Sequence, residues 1–353
     1  MARIVITEFM DEGAVMQLSK LHDVHYDPTL VDDTHRLTSA LAQADALIVR
    51  NRTQVRGELI SAMLQCRVVG RLGVGLDNID VPKCTLRGIT VIPATGANAL
   101  SVAEYVISTA MLLLRGAYHS SHLVAQGKWP RNSLSAGREI CGKKLGLVGF
   151  GSIGQLTASL ALKVGMDVVA FDNLLPASHP VYKQSNVLFK DFDDLVASSD
   201  VISLHIPLLS STKGLFDEKC LSLMKPDAIL INTSRGEIVD EIALVNALRN
   251  KNLGGASIDV FGVEPLAASP HFFDCPNLIL TPHIAGVTAE SNVRVSYLIA
   301  EKVLEIAKKA ISKKVISKKV TSKKVTSKKV TSKKKVIKKK KENGNTYFYS
   351  LKE

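Results

Sequence analysis

Three side chains, Arg235, Glu264 and His283, could between them hold an acid and move a proton. Each stands just past an apolar run: Arg235 after AILINTS, Glu264 after ASIDVFGV, His283 after NLILTP. A guanidinium can grip a carboxylate through two parallel hydrogen bonds. An imidazole can take a hydroxyl proton and return it near neutral pH. A carboxylate beside that imidazole fixes its tautomer and stabilises the imidazolium. These are the parts required to oxidise a 2-hydroxy acid by hydride loss, and a redox cofactor must then accept the hydride. Taken singly, the three read equally as a surface arginine, a loop charge before Pro265 and a strand-end histidine. Their shared placement joins them, because the carboxyl ends of parallel strands lie along one edge, where ligands bind.

Residues 143–172, KKLGLVGFGSIGQLTASLALKVGMDVVAFD, point to the hydride acceptor. A β-branched-rich run leads into Gly149, Gly151 and Gly154 in G-x-G-x-x-G spacing. An apolar-periodic helix follows over about 153–164, and a second strand, 167–171, ends on Asp172. Gly149 allows the tight turn, Gly151 lets backbone approach a pyrophosphate, and Gly154 lets the helix pack on the sheet. The helix start offers N–H groups to phosphate. Asp172 can accept from both ribose hydroxyls and would repel a 2′-phosphate, which favours NAD over NADP.

The elements that carry these residues fall into two α/β patterns. Strands are expected at 3–7, 45–49, 67–71 and 90–92, then a long helix over about 99–126. After the glycine unit, strands are expected at 201–205, 228–232, 255–260 and 278–280, and a last helix over about 289–309. The expected fold is therefore two Rossmann-like, doubly wound parallel-sheet domains. Residues 1–98 with 284–310 would form a discontinuous, flavodoxin-like substrate domain, and 99–283 a contiguous NAD-binding domain. Residues 311–353 would be a disordered, lysine-rich tail.

The net charge of +12 belongs to that tail. From Lys308 to Glu353 there are 18 Lys and two Glu, so the rest of the chain is mildly acidic. The repeat S-K-K-V-[IT] from Ser312 has a period of five, which matches neither helix nor strand. It reads first as a solvated extension and second as weak contact with polyanions. No apolar run has the length of a membrane span, so no membrane insertion is expected. The start, MARIVITEF, reads as a strand and not a signal peptide. Five scattered cysteines form no zinc-like cluster and fit a reducing cytoplasm.

In its motifs the chain resembles the D-isomer-specific 2-hydroxyacid dehydrogenases, in their phosphoglycerate dehydrogenase-like branch, over about Arg3 to Ala307. The segments carrying the resemblance are RLGVGLDNID (71–80), NALSVAEYVISTAMLLLR (98–115), GKWPR (127–131), GLVGFGSIG (146–154), LHIPLLSSTKGL (204–215), INTSRGEIVDE (231–241), IDVFGVEP (258–265) and LTPHIAG (280–286). The resemblance implies that His283 is the acid/base, Glu264 its partner and Arg235 the carboxylate anchor. It implies cofactor contacts from Ser152, Ile153, Asp172, Ile206, Thr233, Ser234, Asp259, Ala285 and Gly286. Val74 and Gly75 would offer N–H groups to the substrate carboxylate. It also implies a homodimer that uses the helix from Ala99, and an interdomain cleft that closes on substrate. Two departures stand out. No regulatory C-terminal domain like that of long phosphoglycerate dehydrogenases is expected, and only NTYFYSL (345–351) is expected to be able to supply the family's closing strand.

Arg50 and Arg52 follow one first-domain strand and Arg71 ends another, so a second anion on the substrate can be held there, with Arg50 the chosen contact. 3-Phosphoglycerate is the first candidate. VRNRTQVRG (49–57) and GREI (137–140) also resemble bacterial sulfolactate dehydrogenases, which makes sulfolactate the second. A reading of another class is an NAD-sensing, corepressor-like binding protein.

Overall fold

The computed structural model describes residues 1–306; the lysine repeat and NTYFYSL lie outside the described residues. The chain divides into two compact units, Met1–Pro93 with the chain from Ile299, and Ala94–Leu298.

The first unit holds five parallel strands: β1 (Arg3–Ile6), β2 (Asp23–Tyr26), β3 (Ala46–Val49), β4 (Val68–Arg71) and β5 (Thr90–Pro93). Their order is β2-β1-β3-β4-β5, a doubly wound flavodoxin-like arrangement. β3 is buried on both faces, as a parallel sheet covered by helices requires. Leu47, Val49 and Val69 pack with Leu37, Leu41 and Ile60 on one side of the sheet. Full burial of such a side chain stabilises by roughly 1.5–3 kcal/mol. Gly70, in β4, is closely packed: a Cβ there would come within 2.6 Å of Ile299 and 2.9 Å of Val303, from the helix 289–306.

The second unit holds seven parallel strands: β6 (Lys144–Val148), β7 (Asp167–Phe171), β8 (Leu188–Phe189), β9 (Val201–Leu204), β10 (Ile229–Asn232), β11 (Gly255–Ile258) and β12 (Leu278–Leu280). Their order, β12-β11-β10-β9-β6-β7-β8, reverses between β6 and β9. Ligands of such sheets bind outside the carboxyl ends of the strands at that reversal. One face is covered by a cluster containing Phe216, Leu221 and Leu244. The other is covered by the helices Ala99–Arg115 and Ser152–Lys163, through Val106, Ala110, Ala158 and Ala161.

The sequence reading errs in three places. β2 is half-exposed and β8 has two residues, so neither shows a buried apolar run. The helix expected over 99–126 stops at Arg115. Gly116 caps it in the left-handed conformation (φ 64°), and a short helical stretch, 118–125, departs at 70°. Among the described residues, no single helix is long and apolar enough to cross a membrane.

Candidate active site

The three glycines after β6 do different work. Gly149 has φ +99°, and a Cβ there would lie 2.4 Å from the His205 carbonyl oxygen at the end of β9. A Cβ on Gly154 would lie 2.3 Å from the Gly149 carbonyl oxygen, so the helix packs directly on the turn. Gly151 meets nothing within 4 Å: its open side leaves backbone accessible to a ligand. No side chain caps the helix that starts at Ser152, with Ile153 next in its first turn. Asp172 ties the turn together: Phe150 N donates to Oδ2 and Leu174 N to Oδ1, both at 2.8 Å. Each oxygen keeps a lone pair for a ribose hydroxyl.

Across the reversal, Ile206 lies near Gly149, where a Cβ would come 3.0 Å from its side chain. Thr233 Oγ1 is buried with no hydrogen-bond partner among the described residues. Such an orphan costs free energy unless a ligand satisfies it. With the open Gly151 and the uncapped helix, it shows that these residues fit a dinucleotide. Ser234 is partly spent: its hydroxyl donates to the Leu204 carbonyl at 2.6 Å. Gly286 lies against Asn98, whose Nδ2 would be 2.4 Å from a Cβ there.

His283 and Glu264 are brought together, with Nδ1 2.6 Å from Oε2. An ionised carboxylate only accepts, so Nδ1 carries the hydrogen and Nε2 is left with its lone pair as an acceptor. The other Glu264 oxygen accepts from Phe261 N at 2.9 Å, which fixes the carboxylate to its own loop. His283 sits at φ +56°, an unusual conformation for a residue other than glycine. The surroundings impose it. Its N–H donates to the Asp259 carbonyl at 2.8 Å, while the buried Asp259 carboxylate accepts from Ile284 N and Ala285 N, each at 2.8 Å. Thr281 Oγ1 donates to Asp259 Oδ1 at 2.6 Å. Asp259 and Ala285, expected to touch the cofactor, also form the frame of the histidine loop.

Arg235 leaves β10 on a turn whose carbonyl accepts from Asn232 Nδ2 at 2.9 Å. Its Nη1 donates to the Ser234 carbonyl at 2.6 Å. The next residue, Gly236, packs backbone to backbone: a Cβ would lie 1.9 Å from the Phe261 carbonyl carbon and 2.4 Å from Gly262 N. The Arg235 turn therefore abuts the loop that carries Glu264. His205 also lies on this rim, with Nε2 3.1 Å from Ser203 Oγ. Burial pushes its pKa down to about 4, so it stays neutral and cannot exchange protons near neutral pH.

In the first unit, Val74 is exposed and Gly75 half-buried on the turn after β4. Neither N–H is used in a hydrogen bond among the described residues. Arg50 is half-buried over the Phe9 ring, its guanidinium carbon 5.8 Å from the centroid.

Sequence reasoning missed Tyr105. From the helix Ala99–Arg115, its hydroxyl lies 2.6 Å from Thr281 Oγ1 and 3.0 Å from Ser257 Oγ. Burial raises the phenol's pKa, so it remains a donor. Its aromatic ring gave no sign of this beside the helix's apolar residues. Tyr105→Phe is expected to lower kcat a few-fold to about tenfold, the cost of one hydrogen bond in the chain that sets the histidine loop. Affinity for NAD, measured by titration, should hold.

The chain matches the model of the D-isomer specific 2-hydroxyacid dehydrogenase NAD-binding domain over residues 107–285. It is 49% identical over 303 residues to the (S)-sulfolactate dehydrogenase of Chromohalobacter salexigens, covering 86% of this chain and 97% of that one. It is 38% identical over 271 residues to the D-3-phosphoglycerate dehydrogenase of Mycobacterium leprae, covering 77% of this chain and 51% of that one. The chain thus spans about half the length of this phosphoglycerate dehydrogenase. Among solved structures, the D-lactate dehydrogenase of Aquifex aeolicus with NAD and lactic acid superposes with a TM-score of 0.75 at 28% identity, covering 88% and 96% of the two chains. The chain belongs to the D-isomer specific 2-hydroxyacid dehydrogenases. It is an NAD-dependent oxidoreductase of small 2-hydroxy acids, and its second unit carries the NAD-binding domain.

Proposed function

We propose that this enzyme interconverts a three-carbon 2-hydroxy acid bearing a distal sulfonate, of the sulfolactate type, with its 2-keto acid. The single observation that carries this reading is the 49% identity to a sulfolactate dehydrogenase along nearly that protein's whole length. 3-Phosphoglycerate, the first candidate from sequence, takes second place, because that likeness is lower and covers half of the relative.

In this reading Arg235 holds the substrate carboxylate, and Val74 and Gly75, whose N–H groups make no hydrogen bond among the described residues, are substrate contacts of the first unit. His283 Nε2 accepts the hydroxyl proton, and Glu264 steadies the resulting imidazolium through Nδ1. NAD, when bound, supplies the hydride acceptor. The Gly149–Gly154 turn with Ser152 and Ile153 takes its pyrophosphate, Asp172 its adenosine ribose, and Ile206, Thr233, Ser234, Asp259, Ala285 and Gly286 its remaining parts. Arg50 takes the distal anion. The first unit serves as the substrate domain. A homodimer is part of the proposal, supported by the exposed Leu100 and Met111 on the helix Ala99–Arg115 and by the exposed Tyr118 and Trp129 beyond it. The five free cysteines suit a reducing cytoplasm. The lysine repeat adds at most weak, salt-sensitive contact with polyanions.

The test is turnover, read as NADH absorbance, with a panel of 2-hydroxy and 2-keto acids that includes sulfolactate and 3-phosphoglycerate. Tight NAD binding without turnover of any acid would sink the enzymatic reading in favour of an NAD-sensing binding protein. Asp172→Ala is expected to narrow the preference for NAD over NADP by about tenfold or more, through loss of ribose bonds and of repulsion. KM values for the two cofactors check it.

A further inference from the structure

One buried charge in the first unit has no part in the reaction as proposed. Three backbone N–H groups of the loop after β3 converge on Glu8, just past β1. Arg50 N and Thr53 N donate to Oε1 at 2.9 and 3.0 Å, and Arg52 N to Oε2 at 3.0 Å. Convergent backbone N–H groups form an anion-binding concavity. Here the chain fills it with its own carboxylate, which is only 5% exposed. Burial alone would raise this carboxyl, but the N–H bonds from Thr53, Arg52 and Arg50 outweigh it and hold it below the usual range. Glu8 is therefore ionised at neutral pH. Asn78 Nδ2 ties the loop in place, donating to the Arg50 and Thr53 carbonyls at 3.1 and 2.8 Å.

The arginines around this loop are engaged in different ways. Arg52 is ion-paired with Asp32. Arg56 reaches the carbonyl of Asp77. Arg71 folds over Gly73 and donates to the Leu72 carbonyl at 3.1 Å. Arg50 feels the Glu8 carboxylate directly. Four guanidiniums thus stand about this loop, with the Glu8 and Asp32 carboxylates against them.

We propose that Glu8 is a specificity-determining residue: by filling the loop's anion pocket with a fixed negative charge, it biases this rim toward a distal monoanion, a sulfonate, over a phosphate. The proposal rests on the sulfolactate-type reading and on Arg50 as the distal contact. The physical reason is a difference in charge. A sulfonate carries one negative charge at any working pH, whereas a phosphate monoester carries about −1.5 to −2 at pH 7. A fixed charge acts on each ligand charge in turn, so Glu8 repels the phosphate more. Closing the pocket to the ligand also leaves side chains alone to hold the distal group.

Glu8→Gln removes the charge with little change of shape. The ratio of kcat/KM for 3-phosphoglycerate to that for 3-sulfolactate, measured above the phosphate's second pKa of about 6, is expected to rise about tenfold. That is the factor one unit charge gives roughly 10 Å away at an effective dielectric near 20. General damage to the fold would lower both activities and leave the ratio alone. Glu8→Asp keeps the charge and should keep the wild-type ratio even if the protein is less stable. Should the Gln variant fail to fold, inhibition of the unaltered enzyme by 3-sulfopropionate and 3-phosphonopropionate decides, with the sulfonate expected to bind more tightly. An unchanged or falling ratio in the Gln variant, or tighter binding of the phosphonate, overturns the proposal. If the unaltered enzyme turns over neither acid, the functional reading fails instead, and calorimetric binding of the two inhibitors to the unaltered and Gln enzymes still tests Glu8.

Discussion

His283→Asn is expected to lower kcat by about a hundredfold to ten-thousandfold, the range by which a positioned general acid or base contributes. NAD should bind as before. Asparagine can still donate to Glu264 Oε2, so the loop keeps one of its ties, but an amide cannot take up a proton at Nε2's place. The backbone frame should survive too, because asparagine tolerates the left-handed conformation that His283 adopts at φ +56°. The bonds from Ile284 and Ala285 to Asp259 do not involve the imidazole. Steady-state kinetics beside a fluorescence titration with NADH separate the two effects. Near-normal turnover in this variant would remove His283 from the reaction. Glu264→Gln should cost less: its amide can still meet the ring, but the negative charge that favours the imidazolium is gone.

Much of this site was legible because the fold places chemistry by topology. A polar residue after an apolar run marks the carboxyl end of a strand, and in a parallel sheet all such ends share an edge. Arg235, Glu264 and His283 could therefore be grouped across about fifty residues of chain without knowing a single distance. The glycine unit was legible for a similar reason, since strand, turn, helix, strand and acid are local and ordered. The framework behind them was not. Nothing in the sequence marks that the Asp259 carboxylate also binds three groups of the next loop. Tyr105 lies more than 150 residues before its partners Ser257 and Thr281. Glu8 looks like any acid after a strand until the loop 50–53 wraps it. Long-range hydrogen bonds of this kind leave no periodicity, and the half-exposed strand β2 left too little. The overlong helix failed for the opposite reason. Its apolar pattern runs past Gly116, and that glycine in the left-handed conformation ends it.

The Arg235 guanidinium is expected to matter nearly as much as the imidazole, but in a different kinetic constant. Two charge-assisted hydrogen bonds to a carboxylate, at about 1.5–3 kcal/mol each, put the loss of kcat/KM in Arg235→Ala near a thousandfold or beyond. Arg235→Lys keeps the charge without the planar fork, so it should recover only part of that loss. Affinity for NAD should change little in either variant. The turn itself should persist, because it is held by the Asn232 amide and by the contact of Gly236 with Phe261 and Gly262, neither of which uses the arginine side chain. That packing supplies the control. Gly236→Ala would put a Cβ 1.9 Å from the Phe261 carbonyl carbon, so this variant should lower the melting temperature and kcat together by moving the Glu264 loop, whereas Arg235→Ala should leave melting nearly unchanged. An Arg235→Ala enzyme within tenfold of the parent in kcat/KM would show that the substrate carboxylate is held elsewhere, and the N–H groups of Val74 and Gly75 would then be the next to test.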